Sequence, residues 1–282
     1  MKRKSLKMIC SVLVLGLIST SLAACASKKD GENSKSTGNI KIAISGSTSV
    51  GPLMEKLAEN YENKNEGITI EINQTGSSAG IKDAINGVSE IGMASRELKD
   101  EEKKEVKGTV IAYDGIAIIL NKNNRVKDLN IDQIKGIYTG AITNWKQIEG
   151  GKDSPIVVVS REEGSGTRDA FQEIIGYESK DLVKDAIISN GNGGVKETVV
   201  GNENAIGFVS FEYLDDSVNV VTVEGAEASA EAVKAGKYKI SRPFNIVTKD
   251  GNLTTDGQKF IDFILSTEGQ QIVEDNKLIT IE

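Results

Sequence analysis

The chain has 282 residues, 34 basic against 41 acidic side chains, a formal net charge of −7 and no histidine. An acidic chain with one tryptophan and no basic stripe is a poor candidate for binding nucleic acid, so we expect no nucleic-acid partner. Without histidine or paired cysteines the usual zinc sites are excluded. A carboxylate metal site stays open, but no pattern supports one, and we expect neither a metal nor another cofactor.

The N-terminus predicts export. Four basic residues precede an apolar run that ends in small residues, which is typical of a secretory signal peptide over residues 1–24. The sequence Leu22-Ala23-Ala24-Cys25 resembles the lipobox of bacterial lipoproteins. We therefore expect Cys25 to carry a lipid that anchors the mature chain to a cell membrane, outside the cytoplasm. An ordinary signal peptide with an incidental cysteine is the alternative.

A polar segment over residues 25–39 predicts a flexible tether, followed by a globular body from Ile40. Within the body, apolar runs of strand type alternate with amphipathic stretches. Strands are predicted at 39–45, 68–75, 91–95, 115–121, 154–160, 205–210 and 218–223, and helices at 52–64, 81–88, 168–176, 195–200 and 256–276. This alternation predicts an α/β fold with mostly parallel sheets and helices on both faces.

Three junctions share one design, in which a strand runs into a Gly/Ser/Thr loop and then into a helix. GSTSVG follows IKIAIS, GSSAG follows ITIEINQT, and REEGSGT follows PIVVVS. Ligands bind at such loops because they lie at the carboxyl ends of parallel strands. Helix starts also offer unpaired N–H groups and the positive end of the helix dipole. One such loop is most simply an N-cap, but three loops with an arginine beside one of them predict an oxyanion site.

The second loop also matches the G-x-S-x-G nucleophile elbow, with Ser78 in the nucleophile position. A serine nucleophile needs a base to take its proton, and the usual base, histidine, is missing. No S-x-x-K pattern occurs at this loop either. We interpret the loop as a cradle of hydrogen-bond donors, and a hydrolase using Ser78 is the less favoured alternative.

Taken together, these loops resemble those of the PstS type, the phosphate-binding proteins of bacterial phosphate ABC transporters, in their lipid-anchored form. The resemblance runs from about Ile40 to the C-terminus and rests on SGSTSVGP, QTGSSAGIKDAINGVSEIGMASRELKDEE, YDGIAIILN, ITNW, SREEGSGTR, SNGNGGV, NAIGFVS and SRPFNIVT. It implies a two-lobed clamshell of the periplasmic-binding-protein type (type II). One lobe would comprise residues 40–118 and 241–282 and the other residues 119–240, with crossing strands as a hinge near Arg242-Pro243.

The same resemblance implies a monomeric receptor that captures inorganic phosphate for the transmembrane permease of an ABC importer, without catalysis. Carried over by position, the implied phosphate site contains Thr48 and Ser49 from the first loop and Ser77 from the second. The third loop would supply Arg161, Ser165, Gly166 and Thr167. The planar guanidinium of Arg161 suits bidentate contact with an oxyanion. We expect Glu163 to pair with Arg161 and fix its rotamer, a solvated loop carboxylate being the alternative.

One departure from the family concerns selectivity. Many members carry an aspartate after the strand equivalent to IGMAS, where it accepts the phosphate proton and so helps to reject sulfate. Here the segment reads Ala94-Ser95-Arg96-Glu97. We expect Ser95 in the site, Arg96 as an added charge if it turns inward, and Asp114 or Glu97 as the substitute acceptor. Sulfate or another tetrahedral oxyanion is therefore an alternative ligand, and the lipid anchor alone would also permit an adhesive or signalling role.

Overall fold

The computed structural model describes residues 40–281, so the predicted signal peptide, the tether and Cys25 lie outside the described residues. The strands are β1 (Ile40–Gly46), β2 (Ile68–Gln74), β3 (Ile91–Ala94), β4 (Lys107–Asn121), β5 (Asp128–Leu129), β6 (Val157–Arg161), β7 (Ile187–Ser189), β8 (Ala205–Ser210), β9 (Val218–Val220), β10 (Thr222–Val223) and β11 (Ser241–Thr248). The helices are α1 (Gly51–Glu62), α2 (Ser77–Asn86), α3 (Ile131–Thr139), α4 (Gly166–Ile175), α5 (Gly191–Gly201), α6 (Ala230–Lys234), α7 (Thr255–Leu265) and α8 (Thr267–Asp275). Within this range no helix has the length and apolar character needed to cross a membrane.

A connected sheet runs through the molecule in the order β2-β1-β3-β11-β4-β8-β6-β7, with β9 also paired to β4. Pairing is parallel at both ends, where β1 lies between β2 and β3 and β6 lies between β7 and β8. It is antiparallel in the middle, around β11 and β4. The 15-residue strand β4 pairs with β11 along its first half and with β8 along its second. This strand therefore connects the two halves of the sheet.

Two large hydrophobic cores flank this middle region. The first is formed by side chains of β1, β2, β3, α1, α7, α8, β11 and the start of β4. The second is formed by residues between Ile116 and Ile240, and the rings of Phe171 and Phe208 stack within it at a centroid distance of 4.0 Å. We call the elements on the first core, together with the adjoining smaller cluster around Ile81 of α2, lobe I, and those on the second core lobe II. Residues 116–118, which the sequence analysis assigned to the first lobe, pack in the second core.

Helices cover both faces of the lobe I sheet because neighbouring strand residues point to opposite faces. Met93 and Ile246 belong to the first core, whereas Ala94 and Val247 belong to a smaller cluster with Ile81 of α2. The predicted α/β architecture with helices on both faces is confirmed, and the structure has the two lobes that the resemblance implies.

The C-terminal stretch predicted as one helix over residues 256–276 is in fact two helices, so this prediction was wrong. Ser266 has extended backbone angles (φ −72°, ψ 163°), and its Oγ accepts a hydrogen bond from the Gly269 N–H at 3.2 Å. This is an N-cap that starts α8 directly after α7. The apolar spacing continues across the cap, so the periodicity alone could not reveal the break.

The two chain crossings between the lobes lie side by side on β4 and β11. Arg242 stands opposite Asp114 in the antiparallel register, and its Nη2 donates to Asp114 Oδ2 at 2.9 Å. Both side chains are almost fully buried, at 1% and 0% exposure. On the next residue, a Cβ built on Gly115 would lie 2.0 Å from the Phe211 ring. The crossing is thus fixed by a buried ion pair and by a position where only glycine fits.

Candidate functional site

The three Gly/Ser/Thr loops meet at the cleft between the lobes. Two of them start α1 and α2 in lobe I, and the third starts α4 in lobe II. Arg161 Nη2 donates to Thr48 Oγ1 at 3.0 Å, and the hydroxyls of Ser49 and Thr167 are 2.8 Å apart. A Cβ built on Gly166 would lie 2.2 Å from Ser77 Oγ. The loop of lobe II therefore contacts both loops of lobe I.

A buried cluster of serine hydroxyls lies beside this contact. Ser47 Oγ donates to Ser95 Oγ at 2.9 Å, and the hydroxyls of Ser95 and Ser77 are 3.2 Å apart. The backbone N–H of Ser95 also donates to Ser77 Oγ at 3.1 Å. The structure thus brings Ser95 next to Ser77 and to Gly166 at the start of α4.

The starts of α2 and α4 lie next to each other at the cleft. The first N–H groups of an α-helix have no carbonyl partner within the helix and carry the positive end of its dipole. In α2 this first turn includes Ser77, and it follows Gly76, whose φ of 95° favours glycine. In α4 it includes Gly166 and Thr167, and the capping Ser165 Oγ accepts from the Arg168 N–H at 3.3 Å. Such ends attract anions.

Arg161 is the arginine that joins the first and third loops, and it is 1% exposed. Its Nε and Nη2 donate to the two carboxylate oxygens of Glu162 at 2.8 and 2.7 Å. Burial alone would raise the pKa of Glu162, but the hydrogen bonds from Arg161 outweigh it and hold this pKa below its usual value. The predicted pairing of Arg161 with Glu163 was wrong, because Glu162 takes that role and Glu163 is exposed.

Asn192 is a residue that the sequence analysis left out of the site. It is buried at the start of α5, and its Nδ2 donates to Ser49 Oγ at 2.9 Å across the cleft. Its Oδ1 accepts from the Ser210 N–H at 3.1 Å and lies 3.5 Å from Arg161 Nη1. Asn192 therefore ties the first loop, the arginine and the end of β8 together. The SNGNGGV motif was the signal that could have placed it here.

Comparison with known proteins assigns the family. The PBP superfamily domain matches residues 30–268. The phosphate-binding protein PstS of Bacillus subtilis is 31% identical to this chain, over 96% of this chain and 93% of the relative. The chain belongs to the PstS family. PstS of Borreliella burgdorferi is similar at 28% identity, over 96% of this chain and 98% of the relative.

Two solved structures resemble the fold closely. A Clostridium perfringens protein, described as a phosphate ABC transporter substrate-binding protein and crystallised with bound phosphate, shares 60% identity with a TM-score of 0.84. The alignment covers 86% of this chain and 100% of that one. An ABC-type phosphate transport receptor from Vibrio cholerae shares 36% identity with a TM-score of 0.73, covering 85% and 99%. Proteins of the PstS type are extracytoplasmic substrate-binding proteins.

Asp114 does not have the free acceptor capacity that a substitute for the usual PstS aspartate would need. Its Oδ1 accepts from Ser210 Oγ at 3.0 Å and from the Phe211 N–H at 3.2 Å, and its Oδ2 accepts from Arg242 Nη2 and Nε at 2.9 and 3.3 Å. Burial raises the pKa of Asp114, and Arg242 opposes that shift. A carboxylate offers about four lone pairs, so all are occupied. The other proposed acceptor, Glu97, is exposed.

Arg96 is buried, and its guanidinium is surrounded by hydrogen-bond acceptors of the protein. Nε donates to Asp169 Oδ2 at 3.1 Å, and Nη1 donates to Glu102 Oε2 and to the Glu97 carbonyl, both at 2.8 Å. Nη2 donates to Glu102 Oε1 at 2.8 Å and to Ser78 Oγ at 3.4 Å. A guanidinium has five N–H donors, and all five have partners here. The inward-turned charge that the sequence analysis considered for Arg96 is therefore neutralised by carboxylates.

Ser78 lies at the edge of the PstS cleft. Its backbone N–H donates to the Gly164 carbonyl of lobe II at 3.2 Å, and its hydroxyl accepts the long contact from Arg96. Within residues 40–281, no hydrogen bond joins the Ser78 hydroxyl to a lysine or carboxylate that could take its proton. Ser78 therefore lines the cleft, and its contacts give no support to a role as nucleophile.

Proposed function

We propose that this chain is an extracytoplasmic receptor that captures inorganic phosphate between its lobes and delivers it to the permease of an ABC importer. The observation that carries the proposal is the meeting of three helix-start loops from both lobes at the cleft, where the buried Arg161 of the third loop donates to Thr48 of the first. Neutral N–H and O–H donors with a single cation can surround a tetrahedral oxyanion without neutralising it fully. The phosphate bound in the 60% identical Clostridium perfringens protein supports this choice of ligand.

In this proposal both lobes supply the phosphate ligands. They are Thr48, Ser49, Ser77, Ser95, Arg161, Ser165, Gly166 and Thr167, and Asn192 supports them. We further propose that the chain passes from lobe I to lobe II near Gly115 and returns to lobe I between Ile240 and Ser241. At these two places the buried side chains pass from one core to the other. The mature receptor would be a monomer tethered through a lipid on Cys25, and it would perform no chemistry on its ligand.

Sulfate is the second candidate ligand, because Asp114 is fully engaged and no free carboxylate contacts the serine cluster among the described residues. We propose that a serine hydroxyl oxygen of this cluster accepts the phosphate proton instead, since a hydroxyl can accept as well as donate.

Titration calorimetry of the mature chain with phosphate and then sulfate, on either side of neutral pH, tests whether phosphate or sulfate is the ligand. Micromolar or tighter phosphate binding without sulfate competition supports the proposal. Equal affinity for the two anions contradicts it.

Gly166→Ala tests whether the lobes must come together to hold the ligand. The added Cβ would lie 2.2 Å from Ser77 Oγ, 2.8 Å from Ser77 Cβ and 2.8 Å from Ser95 Oγ, so it strains the contacts that α4 makes with α2 and with Ser95 across the cleft. We expect phosphate affinity to fall by at least about tenfold, which is about 1.4 kcal/mol. The melting temperature of the ligand-free protein should change by less than about 2 °C.

The matched control is Gly193→Ala in α5, where an added Cβ meets nothing within 4 Å. This variant should bind phosphate as the unmodified chain does. An unchanged affinity in Gly166→Ala would show that phosphate is held without the close approach of α4 to α2.

A further inference from the structure

We propose that Arg96 and Asp169 form a latch across the cleft, and that this latch sets the lifetime of the bound state without contacting the ligand. The proposal rests on the proposed function for its ligand. Arg96 would then be a positioning residue that acts through lobe closure, and its place beside the anion-binding serines would not make it an anion ligand.

The ion pair joins the two lobes. Arg96 follows β3 in lobe I, and Asp169 lies in the first turn of α4 in lobe II. Their side chains are 4% and 31% exposed, and Arg96 Nε lies 3.1 Å from Asp169 Oδ2. Beside it, the Ser78 N–H donates to the Gly164 carbonyl and also joins the two lobes. Separation of the lobes would break both contacts.

Glu102 holds the guanidinium in place within lobe I. It accepts from Nη1 and Nη2, both at 2.8 Å, and Asn245 Nδ2 fixes the Arg96 carbonyl at 2.9 Å. Burial alone would raise the pKa of Glu102, but the hydrogen bonds from Arg96 and the Lys99 N–H keep it below its usual value. Glu102 therefore stays charged, and Arg96 keeps a partner when the lobes part. A side chain already held in place loses little further entropy when Asp169 arrives.

Two lysines near Asp169 could compete with Arg96 as its partner. Lys82 and Lys99 line the same open cavity as Asp169, Ser78 and Glu163, a space of about 620 Å³. These two lysines are exposed and make no hydrogen bond to Asp169 among the described residues. Asp169 pairs instead with the buried, oriented guanidinium, which is the group that burial and geometry favour.

A contact made only when the lobes are together slows release and leaves encounter unchanged. For this reason the latch predicts a kinetic signature, with the effect confined to the dissociation rate constant. Mutation of a cationic residue that contacts phosphate would instead change both the dissociation and the association rate constants. The association rate constant would fall because positive charge that attracts the anion is removed.

The test is Asp169→Asn in the mature chain, followed by stopped-flow measurement of phosphate binding. We expect the dissociation rate constant to rise by about threefold to tenfold and the association rate constant to stay within about twofold. The matched control is Glu173→Gln, which removes the same charge from an exposed position of the same helix α4. Equal dissociation rates in Asp169→Asn and the unmodified chain would overturn the latch.

A double-mutant cycle separates the latch from a general effect of charge. In an Arg96→Gln background, Asp169→Asn should have no further effect on release, because its partner is already gone. If Asp169→Asn accelerates release equally in both backgrounds, the two residues do not act as a pair and the proposal is wrong.

Energy transfer between dyes distinguishes this failure from failure of the proposed function. Both cysteines of the chain, Cys10 and Cys25, lie outside residues 40–281, so Glu59→Cys in lobe I and Lys180→Cys in lobe II can be labelled once Cys25 is replaced. Without ligand, Asp169→Asn should shift the population towards larger lobe separation. Absence of phosphate binding in the unmodified chain would refute the proposed function, whereas an unshifted distance distribution would refute the latch.

Discussion

Arg161→Ala is expected to reduce phosphate affinity at least about a hundredfold, the largest loss for any single side chain of the site. Removing a charged hydrogen-bond donor costs about 1.5–3 kcal/mol. Here a second cost adds to it, because Glu162 would keep its negative charge beside the anion with two backbone N–H donors in place of the guanidinium, its own and that of Gly191 at 3.2 Å. Titration calorimetry measures the loss directly.

Two further variants show where that loss comes from. Arg161→Ala combined with Glu162→Gln should recover part of the affinity, because it removes the uncompensated carboxylate. Ser78→Ala should bind nearly as well as the unmodified chain, since the one hydrogen bond of the Ser78 hydroxyl within residues 40–281 is a long contact with Arg96. Equal losses in Arg161→Ala and Ser78→Ala would contradict the assignment of the arginine as the central cation.

Asp114→Asn is expected to destabilise the fold by about 3–5 kcal/mol, the largest stability effect that we predict. The substitution leaves Arg242, which is 1% exposed, without its carboxylate partner, and an uncompensated buried charge carries a cost of that order. It also weakens the hydrogen bonds that Asp114 accepts from Ser210 and Phe211. The free energy of unfolding in urea gives the measurement.

Removing both charges together should restore much of the stability. The double variant Asp114→Asn with Arg242→Met keeps an approximate side-chain volume and leaves no buried ion. Asp153→Asn, which breaks the exposed pair with Lys146, should leave the unfolding transition unchanged. If Asp114→Asn unfolds at the same urea concentration as the unmodified chain, the crossing does not depend on its ion pair.

Local sequence patterns were sufficient to predict the three strands of the site and the loops that follow them. The runs IKIAIS, ITIEINQT and PIVVVS form strands, and each leads through a short loop into a helix, because apolar β-branched runs and glycine-rich turns act over few residues. The helix α3 was missed although Asn130 and Gln133 form a capping box at its start. This Asn-x-x-Gln spacing could have predicted the start of α3 from the sequence alone.

The charged partners could not be predicted in the same way. The structure puts Arg161 beside Thr48, but the carboxylate partner of Arg161 is Glu162 and not Glu163, since the choice depends on how the chain turns after β6. Arg96 and Asp169 are 73 residues apart in sequence, and no local pattern reports such a pair. The position of Asp114 likewise depends on the register of β4 with β11. These facts belong to packing between elements, which a single sequence does not encode locally.

The surfaces that meet at the cleft have a calorimetric consequence. Among the described residues the contact is made by polar groups, namely side-chain hydroxyls, amides, the Arg161 guanidinium and the Arg96–Asp169 ion pair, and most large apolar side chains lie in the two cores. A strongly negative heat-capacity change accompanies burial of apolar surface, and polar burial contributes with the opposite sign. Lobe closure of this kind should therefore have a small heat-capacity change, so the enthalpy of phosphate capture would be nearly the same in a cold environment as in a warm one.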